Sequence, residues 1–148
     1  RYVVAAAPSY LKRRGVPQKP TDLLQHDCIC MRWRESGDPW AWELERGKRL
    51  WRVPVRGPVI TNDAELMRAL ARSGVGLLYA LESSIERDLA RGRLRLVLDA
   101  YAPSVPGLFL FYPSRAQVSP ALKAFVDFLR QQPRKAGRDK RRTLLSFS

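Results

Sequence analysis

The side chains with the widest chemical range are few and close together. The 148-residue chain has one histidine, His26, and two cysteines, Cys28 and Cys30, all in the string HDCICMRW. A His-x-Cys-x-Cys run could offer a metal three ligands. It has no fourth ligand at a standard spacing and no paired C-x2-C of the structural zinc type. Alternation along a strand puts both cysteines on one face, and thiols this close cannot easily bridge in extended backbone. They read as buried, inert thiols in a reducing cytoplasm. A Ser–His–Asp or Cys–His arrangement could use only His26, and no G-x-S-x-G elbow is present. There is no phosphate loop and no G-x-G-x-x-G, because Gly74-x-Gly76 closes a helix instead of opening one. Glu82, Glu86 and Asp88 share a helix and read as a solvated face. The chain is therefore not read as an enzyme, and no catalytic residue, metal or cofactor is expected.

A second constellation is Thr61, Asn62 and Asp63 in TNDAELMRALARSGVGLLYA. Asn62 can cap the following helix, and Glu65 three positions on completes a capping-box pattern. A helix N-terminus at the carboxyl end of a strand also makes a crevice in which open α/β sheets hold ligands. Capping alone and a ligand-lining role both fit these three residues. Asp63 suits the positive helix end, but its charge would repel an anionic ligand beside it.

The elements that position these groups follow from periodicity. Residues 2–7 form an apolar strand. Pro8 opens a helix over residues 9–14, closed by Gly15. Residues 21–24 form one helical turn, and residues 28–32 form the cysteine-bearing strand. Residues 40–44 and 50–55 flank a Gly47 reversal and form a hairpin. Trp40 and Trp42 alternate onto one face of it, where a hairpin core is the expectation and base stacking the alternative. Residues 58–61 form a strand into the Thr61 helix, whose inward stripe is Leu66, Met67, Leu70, Ala71 and Ser73. Residues 75–79 suit a buried parallel strand. A helix over residues 81–90 would bury Leu81, Ile85 and Leu89, and a strand over 94–98 follows. Right-handed parallel crossovers are expected. Residues 108–112 make another strand, and residues 119–132 an amphipathic helix ended by Pro133.

Composition bounds the partners. At 45% hydrophobic and 28% charged residues, the chain is of ordinary globular make-up and can build a core. No apolar run reaches the roughly 18 residues of a membrane span. The net charge of +13 is uneven, and residues 134–148 carry six basic and one acidic residue. That segment reads as a flexible basic tail, which leaves nucleic-acid binding through the tail as one reading. A stand-alone small-solute-binding module is another.

Three strings in this order carry a resemblance. They are APSYL followed by G-x-P-x-x-P-x-D-L-x-x-H, then N-D-x-E-x8-G-x-G, then LFYPSR before a terminal helix. Together they resemble the effector-binding domain of LysR-type transcriptional regulators, over about residues 2–131. The resemblance implies an α/β fold of the type 2 periplasmic-binding-protein kind, with one nearly complete Rossmann-like subdomain plus part of a second. Residues 1–133 would be the effector domain, with residues 8–106 as subdomain two. Residues 1–7 and 107–133 would be hinge strands and part of subdomain one, and residues 134–148 the tail. It further implies a small effector, self-association through regulatory domains, and a cytoplasmic protein. DNA would be reached only through a winged helix-turn-helix that none of these residues supplies. Carried over from the family, the effector-facing positions are Thr61, Asn62 and Asp63 before the helix, Arg32 at the end of the cysteine strand, and Pro8 and Ser9 past the hinge.

Overall fold

The computed structural model describes residues 1–32, 37–105 and 119–131, the side chains at 129 and 130 excepted. Two compact units divide the chain, Arg1–Val105 and Pro106–Ser148.

The described residues of the first unit form seven strands and three α-helices, with short 3-10 turns at Pro20–Gln25 and Asp99–Tyr101. The strands are β1 (Tyr2–Ala6), β2 (Ile29–Cys30), β3 (Trp42–Arg46), β4 (Arg49–Val53), β5 (Val59–Ile60), β6 (Leu78–Leu81) and β7 (Arg95–Val97). The helices are α1 (Pro8–Arg14), α2 (Ala64–Arg72) and α3 (Glu82–Ala90). β2 pairs with β5 in parallel, and a parallel bridge from Cys28 to Leu77 joins β2 to the start of β6. β1 lies between β6 and β7 and is antiparallel to both. The sheet therefore runs β5–β2–β6–β1–β7, with β1 reversed.

β5, β6 and β7 run parallel to one another, as the expected crossovers require, and β1 alone of the strands in this sheet is reversed. Both faces of β1 are apolar, with Val3, Val4, Ala5 and Ala6 all buried. Two buried faces demand an interior position but say nothing about direction. β1 falls within the unit Arg1–Val105. Its backbone is paired on both sides, so it is integral to the sheet of Arg1–Val105.

Each face of the sheet has its own core. On one side, Val3, Ala5, Ile29 and Leu78 pack with Met67 and Ala71 of α2 and Ile85 of α3. On the other, Val4, Ala6, Cys28, Cys30 and Tyr79 pack with Tyr10 of α1 and with Trp42, Leu44 and Val53 of the hairpin. Both cysteines are buried on one face, as alternation requires. Gly57 allows the chain to pass over Cys28, since a Cβ there would lie 1.9 Å from the Cys28 carbonyl oxygen.

The helices depart from expectation in instructive ways. Leu66 is exposed where an inward position was expected, and Met67, Ala71 and half-buried Leu70 carry the contact. Leu81 ends β6 instead of opening α3, and it is exposed. Asp88 was read as solvated, yet it is only 4% exposed. It is tolerated inside because Arg93 reaches its carboxylate at 2.7 Å and Arg72 at 3.4 Å.

In the second unit, α4 spans Pro120–Gln131. Ser119 caps it, accepting the Leu122 N–H on its hydroxyl at 3.2 Å. The expected strand over residues 108–112, the end of the helix at Pro133, and the tail at 134–148 lie outside the described residues.

Candidate functional site

Strand direction decides which residues can meet. β2 and β5 run in parallel, so their carboxyl ends bring Arg32 and Thr61–Asp63 to one end of the sheet. The reversed β1 brings its beginning to that same end, where Tyr2 pairs with Leu81. Its far end carries Pro8 and Ser9 away. Ser9 sits beside Gly74, at the opposite end of the sheet, where Arg13 donates to the Gly74 carbonyl at 2.8 Å. Pro8 opens α1 and fixes its first turn. The structure thus groups Arg32, Thr61, Asn62 and Asp63 and does not bring Pro8 or Ser9 to them.

The loop entering α2 is organised by three short-range bonds and two that reach the cysteine-bearing strand. Asp63, not Asn62, is the N-cap, and its carboxylate accepts the N–H groups of Glu65 at 2.9 Å and Leu66 at 3.0 Å. Asn62 is drawn elsewhere. Its side-chain oxygen accepts the backbone N–H of Arg32 at 3.0 Å. The Thr61 hydroxyl accepts the Asp63 N–H at 3.1 Å, while the Thr61 N–H donates to the Cys30 carbonyl at 3.0 Å. These bonds leave donors available. The Thr61 O–H and the Asn62 amide N–H groups are not used in the contacts above. The Arg32 side chain is exposed beside them. Donors and a guanidinium next to a helix N-terminus suit an oxyanion or a carboxylate.

Next to this loop lies a cavity of about 250 Å³. Tyr2, Met31, Trp40, Ala64, Met67 and Tyr79 are among its lining residues. The rings of Tyr2 and Trp40 meet edge-on at 5.6 Å, and Tyr79 stacks on Tyr2 at 5.0 Å. The Tyr79 hydroxyl donates to the Glu43 carbonyl. Burial pushes that hydroxyl well above its ordinary pKa, with the Glu43 charge adding to the effect. At the rim, Arg1 grips Glu82 at 2.8 Å and Asp99 at 2.8 Å. The Arg1 hydrogen bonds hold the Glu82 carboxyl below its usual value. Sequence reasoning did not find Tyr2, Trp40 and Tyr79 as a group. Each was legible as an aromatic at a strand edge, but only the antiparallel register places Tyr2 near Tyr79.

Among the described residues no group of histidine, cysteine, aspartate or glutamate is arranged to hold a metal. Cys28 and Cys30 donate weakly to backbone carbonyls, and burial pushes both thiols up, away from thiolate reactivity. No described helix is long and apolar enough to cross a membrane.

Comparison with known proteins places this geometry. The model of the LysR substrate binding domain matches residues 1–134. The chain is 36% identical over 127 residues to the HTH-type transcriptional regulator YcaN of Escherichia coli, covering 86% of this chain and 41% of YcaN. It is 34% identical over 127 residues to the E. coli HTH-type transcriptional regulator PgrR, covering 86% of this chain and 42% of PgrR. It thus spans about two fifths of the length of these curated relatives. Among solved structures, it is similar to the regulatory domain of CrgA, a LysR-type transcriptional regulator of Neisseria meningitidis. That match has a TM-score of 0.68 at 27% identity and covers 87% of this chain and 62% of that one. The regulatory domain of AphB from Vibrio vulnificus shares the fold, with a TM-score of 0.68 at 18% identity over 87% of this chain and 63% of that one. The chain belongs to the LysR substrate-binding domain family, with the periplasmic-binding-protein-like fold of these regulatory domains.

Proposed function

We propose that this domain senses a small anionic effector for a cytoplasmic LysR-type transcriptional regulator, through Arg32, Thr61 and Asn62. One observation carries this reading. The Asn62 side chain accepts the Arg32 N–H at 3.0 Å, which fixes the two strand ends against each other. The donors around that bond are then preorganised to meet one ligand, which lowers the ordering cost of binding. Asp63 is occupied at the helix start by two N–H groups, which offsets part of its repulsion toward an anion. Pro8 and Ser9, at the far end of the sheet, have no part in this site.

Regulation would follow from differential affinity. An effector that favours one arrangement of the regulatory domains shifts an oligomer toward it, and only by the difference in its affinity for the two states. DNA contact belongs to a winged helix-turn-helix outside these residues, which gives this chain a controlling role and no catalytic one.

The test is titration of the chain with a panel of small carboxylates, followed by calorimetry on variants. Thr61→Ala and Arg32→Ala should each weaken the best binder about tenfold, the worth of a charge-assisted bond. Unchanged affinity in both variants would remove the site from this loop.

A further inference from the structure

The cavity beside the loop restricts what kind of effector can fit. We infer that the effector carries a flat apolar body of about one aromatic ring, seated against Tyr2, Trp40, Ala64 and Met67, with its carboxylate at Arg32 and Thr61. This inference rests on the proposed carboxylate site at the loop.

Position supports it first. Met31 and Ala64 line the cavity, and they are the chain neighbours of Arg32 and Asp63. A ligand held at the loop therefore has its remaining atoms at the cavity mouth. Size supports it next. The cavity measures about 250 Å³, and an apolar cavity of about 150 Å³ is enough for a benzene ring. One substituted ring fits.

Chemistry makes the selection. Most polar groups of the lining are committed within the protein, the Nε of Arg68 being a buried donor that is not. The Ser84 hydroxyl donates to the Leu81 carbonyl at 2.7 Å, and Arg68 donates to the Ser84 carbonyl at 2.7 Å and to Glu65. The Tyr79 hydroxyl is spent on Glu43. A sugar or another hydroxyl-rich body would lose its water there and gain few bonds in return. An aromatic ring instead meets the rings of Tyr2 and Trp40, which lie 5.6 Å apart and edge to face, and the thioethers of Met31 and Met67. Such ring–ring and sulfur–ring contacts are favourable beyond area alone.

The experiment is calorimetric titration of the chain with benzoate, acetate and benzyl alcohol. Benzoate should bind at least about tenfold tighter than acetate, because burying a ring removes apolar area from water. Ala64→Phe, at an exposed helix start, should bring benzoate down to the level of acetate. Leu81→Trp, blocking from another wall, should do the same. Equal binding of benzoate and acetate, insensitive to both blocking variants but weakened by Arg32→Ala, would overturn the ring inference and leave the carboxylate site standing. Benzyl alcohol binding that Ala64→Phe abolishes, with no carboxylate bound, would overturn the carboxylate reading and with it the two-part ligand. Binding of none of the three would overturn both.

Discussion

The side-chain oxygen of Asn62 accepts the backbone N–H of Arg32 at 3.0 Å, across thirty positions of sequence. It ties the carboxyl ends of two adjacent parallel strands at the place where the donors of the proposed effector site gather. Asn62→Ala should therefore act more on binding than on folding. The bond is solvent-exposed, so its loss should cost about 0.5–1.5 kcal/mol of stability, seen as a small fall in urea midpoint. Asn62→Asp keeps the acceptor and should hold stability close to wild type. It removes the amide donors and adds a charge, so carboxylate affinity should still fall.

Asp63 separates capping from charge. Asp63→Ala removes the acceptor for two N–H groups at the start of α2 and should cost about 1 kcal/mol. Asp63→Asn caps almost as well and should leave the thermal midpoint within a degree or two. Because it removes a negative charge beside the proposed anion site, it should raise carboxylate affinity. An affinity equal to wild type would place the ligand's charge away from this helix end.

Asp88 is the buried charge that holds α3 to its surroundings. Arg72 of α2 and Arg93, just beyond α3, both reach its carboxylate. Both arginines are partly exposed, so solvent screens the pairs and the full cost of breaking a dry pair does not apply. Asp88→Ala should cost about 1–3 kcal/mol by chemical denaturation. Asp88→Asn, of nearly the same shape, should lose most of that, because the charge matters more than the packing. A shift below the error of the melt would mean that the ion pairs contribute nothing.

His26 gives stability a pH dependence with a definite sign. Its ring nitrogen lies 3.1 Å from the Tyr10 hydroxyl. Burial lowers its pKa below the ordinary value, helped by the charge of Arg14 and opposed by Asp22 and Asp27. The unfolded chain then binds a proton more readily than the folded one. The contribution of His26 is fully present above about pH 6.5. It is lost as pH falls from there toward the lower folded value. Asp22 acts in a separate, more acidic window. The N–H groups of Gln18 and Lys19 hold its carboxyl low, so its contribution is lost only as pH drops below the carboxylate range. His26→Gln should flatten the urea midpoint between pH 5.5 and 7.5 relative to wild type. An unchanged slope would assign the dependence to another group.

Much of the fold is legible residue by residue. Pro8 and Gly15 bracket α1 as their backbone preferences require. Gly47 and Gly74 take positive φ where reversals were expected, 64° and 75°. The cysteines and Trp42 are buried where alternation puts them. What was not legible depends on distant partners. Asn62 and Asp63 are equally good caps in isolation, and only the backbone N–H of Arg32 decides between them. Asp88 looks solvated on its own helix, and only Arg72 and Arg93 explain its burial. The direction of β1 cannot be read from a strand that is apolar on both faces. That direction is what moves Pro8 and Ser9 to the far end of the sheet and brings Tyr2 to the near one.

The most direct test is amide NMR of the chain titrated with a small carboxylate from the panel. Shifts should concentrate at Arg32, Thr61, Asn62, Asp63 and Ala64, and should weaken together in Arg32→Ala. Shifts concentrated instead at Ser9, Tyr10 and Gly74 would place the ligand at the opposite end of the sheet and contradict the account.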